Sequence, residues 1–402
     1  MQRSSAQRGP NPAGAQVAAR VADLVRVGSR EIEDVLAQTD KSRLMRLRGG
    51  PVLPLPAHVR EAAIAALDGA DLRPARGLPE LREAIAALLQ AETGVAVDPA
   101  RELILTNGAM QGLSTVFRAL LDPGDEVIVP TPTFFFDGAL QLAEAAPVYV
   151  ACRAEDGWGW DINRIRAAIT ARTRMILLCN PNNPTGFQPS RTDLAAIVDL
   201  ARARGLVVVS DESFHYANYG ERPFVSLLNF ANDAERLVTV RSLSKSHALA
   251  NWRMGYVHAS PALIDTFANV VEWECLHCGY VQQRVTFAAV TGPQDWLGGI
   301  NETYRGIRDR LIAAIERSQW ITAVKPAAGP FLFPDFSRAE AAAGVGAFEQ
   351  LLDLGVPTVP GHYFHGAGHV RLPIGADAAT IERLAEILEA FVPKKGTGRG
   401  GK

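Results

Sequence analysis

The stretch Leu237-Val238-Thr239-Val240-Arg241-Ser242-Leu243-Ser244-Lys245, continuing Ser246-His247-Ala248-Leu249-Ala250-Asn251-Trp252-Arg253-Met254-Gly255, decides how this chain is read. Residues 237–240 form a short β-branched apolar run, which predicts a strand. Lys245 follows it, with small hydroxyl residues Ser242 and Ser244 beside it and Arg253 eight positions on. That order suits a phosphorylated aldehyde. The amine supplies an imine nitrogen, the hydroxyls and guanidinium bind a phosphate dianion, and the small residues permit close approach.

Outward from this stretch the chain alternates two textures. Upstream, a helix is marked by Pro79 and carries the apolar stripe Leu81, Ile85, Leu88 and Leu89. Short apolar runs at 102–106, 126–129, 175–179 and 206–210 predict strands, with helical stretches such as 191–204 between them. Runs as continuous as Leu206-Val207-Val208-Val209 suit a sheet covered on both faces. Strand alternating with helix predicts a mostly parallel α/β sheet, whose ligand sites lie at the carboxyl ends of the strands. Beyond residue 300 a long helical stretch at 301–318 and short strands at 331–333 and 370–373 predict a smaller α+β domain. Residues 1–15 and 394–402 are rich in Gly, Pro, Ser and basic residues and are expected to fray into solvent.

A length of 402 residues exceeds what one hydrophobic core usually organises, so two domains are expected. Apolar residues make up 48%, charged residues 21%, and the formal charge is -2, a balance that favours neither nucleic acid nor membrane as a partner. No stretch approaches the roughly 20 apolar residues of a membrane span, and the expected location is the cytoplasm. Four cysteines do not make a disulfide framework in so long a chain. Cys275 and Cys278 form one C-x-x-C without a second pair to complete a zinc site, so it reads as coincidental spacing and no metal is expected.

The pattern from Ser242 to Gly255 resembles the pyridoxal 5'-phosphate (PLP) attachment signature of the class I and II aminotransferases. The resemblance extends over residues 49–391. It implies fold type I: a large domain at 49–299 with a mostly parallel seven-stranded sheet, a small domain from 16–48 and 300–393, and a homodimer with shared active sites. It also implies a Schiff base between Lys245 and PLP. Asn180-Pro181-Asn182-Asn183-Pro184-Thr185-Gly186, otherwise an ordinary turn, is similar to the family turn whose asparagine, here Asn183, faces the phenolic oxygen of PLP and the substrate. Asp211, otherwise a candidate helix cap, matches the aspartate that keeps the pyridine nitrogen protonated. In Thr106-Asn107-Gly108-Ala109-Met110, a strand-to-helix turn, Gly108, Ala109 and Met110 match the backbone phosphate cup. Phe134 matches the aromatic stacked on the ring. Arg371, in an apolar strand, matches the arginine that grips the substrate carboxylate, and Gly50 of Gly49-Gly50-Pro51 the loop that closes over it. Gly77-Leu78-Pro79-Glu80-Leu81-Arg82 matches a family helix start.

Two positions depart from the pattern. Leu72 stands where a tyrosine reaches the partner's phosphate, and Phe214 where a tyrosine donates to the phenolic oxygen. Loss of that donor raises the basicity expected of the cofactor's imine and phenolate. His215, Tyr216 and Tyr219 are candidates to compensate. Phenylalanine at 214 also suits PLP-dependent cyclases and oxidases. The reading is therefore an aminotransferase acting on an amino acid and a keto acid, with Lys245 as proton shuttle. The alternative is a PLP-dependent lyase, cyclase, decarboxylase or oxidase on the same fold, serving specialised metabolism. A transcription-factor ligand sensor lacks its DNA-binding segment here, and a dinucleotide dehydrogenase its G-x-G-x-x-G. Residues 273–280, with aromatic, imidazole and thiol groups, are expected at the subunit interface, either reaching the neighbouring cofactor or simply packing. No second arginine stands out for a distal carboxylate.

Overall fold

The computed structural model describes residues 18–22, 24, 28–50, 53–69, 74–233 and 235–395. Pro51, Leu72, residues 1–15 and residues 396–402 lie outside the described residues. The first long helix, α1 (Pro79–Thr93), has proline at its start and Gly94 in the left-handed region at its end, as its sequence predicts. Seven strands then form one sheet: β1 (Leu103–Thr106), β2 (Glu126–Thr131), β3 (Ala146–Ala151), β4 (Thr173–Cys179), β5 (Val207–Asp211), β6 (Leu237–Ser242) and β7 (Gly255–His258). Their order is β1-β7-β6-β5-β4-β2-β3, and β7 alone runs antiparallel to its neighbours.

Both faces are covered. Val127, Val129, Met175, Leu177, Val209, Val238 and Val240 share one core with α2 (Ala109–Leu120), while the alternate residues Ile128, Ile176, Leu178 and Val208 share another with α3 (Arg191–Arg204). A capping box between Ser190 and Asp193 starts α3, and Gly205 ends it. Lys245 lies in the one-turn helix α4 (Leu243–Ser246), and α5 (Pro261–Cys275) packs beside α2.

A second sheet of three antiparallel strands, β8 (Phe331–Leu332), β9 (Val359–Pro360) and β10 (Val370–Pro373), has the order β8-β10-β9. It packs with α6 (Ile300–Arg317) and α7 (Ala378–Glu389) around Leu311, Ile315, Leu372, Leu384 and Leu388. The segment before Gly50 joins this unit through a bridge between Arg48 and Gly375.

The differences from the sequence reading are local. Strand β5 runs one residue further, to Asp211, and β6 two residues further, to Ser242. Strands β3, β7 and β9 are additions. Gly255 opens β7 because a Cβ there would lie 2.6 Å from Arg241 O and 2.9 Å from Ala109 N, so two strands and a helix start close on that point. Lys394, expected in the loose tail, donates its backbone N–H to Gln350 Oε1 at 3.1 Å.

Behind the carboxyl ends of β5 and β6 sits a buried ion pair. Arg241 Nε donates to Glu212 Oε2 at 3.0 Å, and both residues are 0% exposed. Removing the Glu212 charge leaves Arg241 balanced by Glu92 alone, so Glu212→Gln is expected to lower unfolding stability by about 1 to 3 kcal/mol in urea titration. A loss below about 0.5 kcal/mol would show that water already screens the pair.

Candidate active site

Strand register brings the site together. Asp211 at the end of β5 stands level with Cys179 on β4 and Val240 on β6, and Gly255 on β7 lies between Ser242 and Thr106. The turns leaving β1, β4, β5 and β6 therefore converge on one edge, where open α/β sheets bind ligands.

Lys245 is held by the turn that Ser242 caps, its hydroxyl accepting from Ser244 N–H at 3.2 Å. Burial, then the charges of Arg371 and Arg253, pull its ammonium below the usual lysine range. Gly50 lies against it, since a Cβ at Gly50 would be 3.1 Å from Lys245 Cδ and 3.5 Å from Nζ.

At one end of the lysine, Arg253 adopts a left-handed backbone (φ 52) and approaches Ser244 Oγ to 3.4 Å through Nη1. Its Nη2 would stand 2.6 Å from a Cβ at Gly108, so glycine is required for the guanidinium to reach the turn that opens α2. The first N–H groups of α2, from Ala109 and Met110 onward, point out of that turn. Gly108, Ala109, Ser244 and Arg253 are thus gathered in one cup with Ser242 at its base.

At the other end, Arg371 leaves β10 and is surrounded by rings: its guanidinium carbon is 4.6 Å from the Phe331 centroid, 4.7 Å from Phe364 and 5.6 Å from Phe135. Its Nη1 donates to Asn183 Oδ1 at 3.3 Å, while its buried Nε has no hydrogen-bond partner among the described residues. Burial pushes the guanidinium down to about 9. An arginine held so is poised for a carboxylate. With Oδ1 occupied, the Asn183 Nδ2 hydrogens remain to donate.

Asp211 is 5% exposed, and burial pushes its carboxyl up to about 6, against the pull of two bonds from Ser213; neighbouring Glu212 adds to the rise. Ser213 Oγ and N–H both donate to Oδ1, at 2.6 and 3.0 Å. Phe134 is half-buried between Phe135 and Phe136. Phe214 packs edge-on to Phe331 at 5.4 Å and offers no donor. The candidate substitutes turn elsewhere: His215 Nδ1 to Glu212 O, Tyr219 to Gly329 O, and Tyr216 to the core beside Tyr304.

The four cysteines are free thiols. Cys275 accepts from Gln111 Nε2 at 3.2 Å, which ties residues 273–280 to the helix of the phosphate-shaped turn. Sequence reasoning missed Ser213, the ring of Phe135, Phe331 and Phe364, and the Glu212–Arg241 pair. Of these, Ser213 alone carries a local signal, a hydroxyl two residues beyond a strand-end aspartate.

An amine between an anion cup and an orphaned arginine, with an acid at the strand end, fits PLP and an amino acid together. The Nε of Arg371 and the close approach of Arg253 to Gly108 are the features such ligands would use. Comparison with known proteins agrees. Residues 48–388 match the family model for aminotransferase class I and II. The chain is 36% identical over 349 residues to the probable aspartate/prephenate aminotransferase of Thermus aquaticus, covering 85% of this chain and 89% of that protein. It is 29% identical over 385 residues to the aspartate aminotransferase of Geobacillus stearothermophilus, covering 91% and 98%. The solved structure of Thermus thermophilus aspartate aminotransferase with maleate superposes with a TM-score of 0.85 at 31% identity, covering 93% of this chain and 99% of that one. The chain belongs to the class I and II aminotransferase family. It is a PLP-dependent aminotransferase of fold type I, and these comparisons give no support to the lyase, cyclase, decarboxylase or oxidase alternative.

The Asp211 carboxyl has a pH signature in the apoprotein. Its folded pKa lies above the ordinary value of 3.8, so the stability it contributes is present below that value and lost as pH rises through about 6. Asp211→Asn cannot ionise. The apo variant is therefore expected to gain on the native apoprotein by about 2 to 3 kcal/mol between pH 4 and pH 7. A stability difference that stays flat across that range, in urea titration, would refute the buried-carboxyl assignment.

Proposed function

We propose that Lys245 carries the cofactor and shuttles the substrate's proton, with Asp211 facing the ring nitrogen and Arg371 holding the substrate's α-carboxylate. The observation that carries this reading is the place of Lys245 just beyond the end of β6, packed against Gly50, its ammonium depressed by burial and then by Arg371 and Arg253. One, Arg253, stands with Gly108, Ala109, Met110, Ser242 and Ser244 at the phosphate end. The other, Arg371, stands with Asn183 and Gly50 at the carboxylate end.

When bound, PLP supplies an electrophilic carbon and a ring that withdraws electrons. The chain's residues supply the rest. The lowered pKa of Lys245 leaves more of the amine uncharged and able to take a proton from the substrate's α-carbon. Asp211, when ionised, would face the ring nitrogen and hold its proton in place. Asn183 Nδ2 would be the donor toward the cofactor's phenolic oxygen, and Phe134 would cover its ring face. With Phe214 lacking a hydroxyl, Asn183 is the donor this protomer offers there.

For the substrate, we propose an amino acid bearing a free α-carboxylate, paired with a keto acid. Aspartate is the first donor to assay, because the relatives named above are aspartate or aspartate/prephenate aminotransferases. We also propose a division into a large domain at 49–299 and a small domain from 16–48 and 300–393, a homodimer, and a cytoplasmic location. No helix among the described residues is long and apolar enough to cross a membrane. Trp273 and Leu276 are 94% and 63% exposed beside the anchored Cys275, which suits burial against a partner subunit. An active monomer in sedimentation would overturn the shared site.

Lys245→Ala is expected to abolish the absorbance band of lysine-bound cofactor and all transamination of aspartate. A band that persists in the purified variant would overturn the assignment.

Arg253→Ala is expected to raise the PLP dissociation constant, and Arg371→Ala the KM for the amino acid. Each loses a charge-assisted contact of about 2 to 3 kcal/mol, or roughly 30- to 150-fold. Equal effects of both variants on both constants would contradict the division of labour.

A further inference from the structure

We propose that Ser213 is a positioning residue for Asp211, fixing one carboxylate oxygen so that the other faces the bound ring nitrogen. The proposal rests on the reading of Asp211 given above.

Both groups of Ser213 land on the same atom. Its hydroxyl donates to Asp211 Oδ1 at 2.6 Å and its N–H to the same oxygen at 3.0 Å. Oδ2 accepts from no side chain or N–H among the described residues. Any residue at 213 keeps the N–H bond, since it is the backbone half of an Asx turn. The hydroxyl bond is particular to serine or threonine. It is short and charge-assisted, the kind that holds a carboxylate against rotation.

No neighbour duplicates it. Cys179, level with Asp211 on β4, has its sulfur engaged by Asn183 N–H at 3.4 Å and Pro181 O at 3.6 Å. Glu212 points to the opposite face, where Arg241, Ser226 and Leu227 N–H occupy it. Asn180 N–H reaches only the Asp211 main-chain carbonyl, at 2.9 Å. The hydroxyl also opposes the burial that drives the Asp211 carboxyl toward its neutral form. A neutral acid would not pair with a ring cation, so orientation and ionisation both run through Ser213.

Ser213→Ala removes the hydroxyl with little change of volume, and Ser213→Thr restores it. The alanine variant is expected to lower kcat roughly 5- to 30-fold, with the KM for aspartate changed less than about twofold. It should raise the PLP dissociation constant of the apoprotein several-fold in equilibrium dialysis, and the threonine variant should recover both constants. Native kcat and native PLP affinity in Ser213→Ala, beside an inactive Asp211→Ala, would overturn the role of Ser213 alone. Near-native turnover in Asp211→Ala would overturn the Asp211 reading as well. A loss of kcat that tracks a lowered apo unfolding midpoint and is not restored by threonine would make Ser213 merely structural, and would also overturn the proposal.

Discussion

Arg241 has no exposed surface, and its charge is met on one side by Glu212 at 3.0 Å and on the other by Glu92 at 2.5 Å. Glu212 accepts in turn from Ser226 Oγ and Leu227 N–H, at 2.7 and 2.8 Å. A buried pair is weak evidence for net stability, because desolvating two ions cancels much of their attraction. Its consequence here is geometric. Side chains alternate along a strand, so fixing Glu212 and Arg241 behind the sheet turns Asp211 and Ser242 to its front. A slip of one residue in β5 would bring Glu212 to the front and bury Asp211 in the rear core, and a slip in β6 would bring Arg241 to the front. The chemistry of the front face depends on ion pairing at the back.

The front face is polar at its two arginines and aromatic around Arg371. Arg253 and the opening turn of α2 form one positive end, and Arg371 forms the other. Phe135, Phe214, Phe331 and Phe364 line the walls near Arg371, and they make its environment apolar enough to push the guanidinium down to about 9. A substrate carboxylate entering there finds a cation with a free Nε and little competing water. The same low dielectric that makes an empty Arg371 costly makes a filled one tight.

Much of this was legible in the sequence. The strand-to-lysine stretch, the asparagine turn after β4 and the aspartate at the end of β5 are local patterns, and their elements appear where the periodicity puts them. Arginine 371 was legible too, because a charge inside an apolar strand needs a reason. What escaped are contacts between distant residues. Phe135, Phe331 and Phe364 come from three separate segments, and nothing in any one of them announces a cage around a guanidinium. Glu212 and Arg241 are 29 positions apart. Strand β7 was hidden because its glycine exists to admit neighbouring backbone rather than to pack a side chain.

Phe214 shows how one departure from a family pattern is absorbed. His215, Tyr216 and Tyr219 carry polar groups within five residues, yet His215 bonds the Glu212 carbonyl, Tyr219 bonds the Gly329 carbonyl, and Tyr216 packs against the core with Tyr304. Compensation therefore does not come from a neighbour moving in. Asn183, its amide oriented by Arg371 Nη1, keeps its Nδ2 hydrogens free to donate, and position 214 adds no donor beside it. The caged arginine thus also sets the direction of the Asn183 amide. A movement of the Arg371 guanidinium would loosen its bond to Asn183 Oδ1, so a change at one side chain reaches the Asn183 amide without any shift of the sheet.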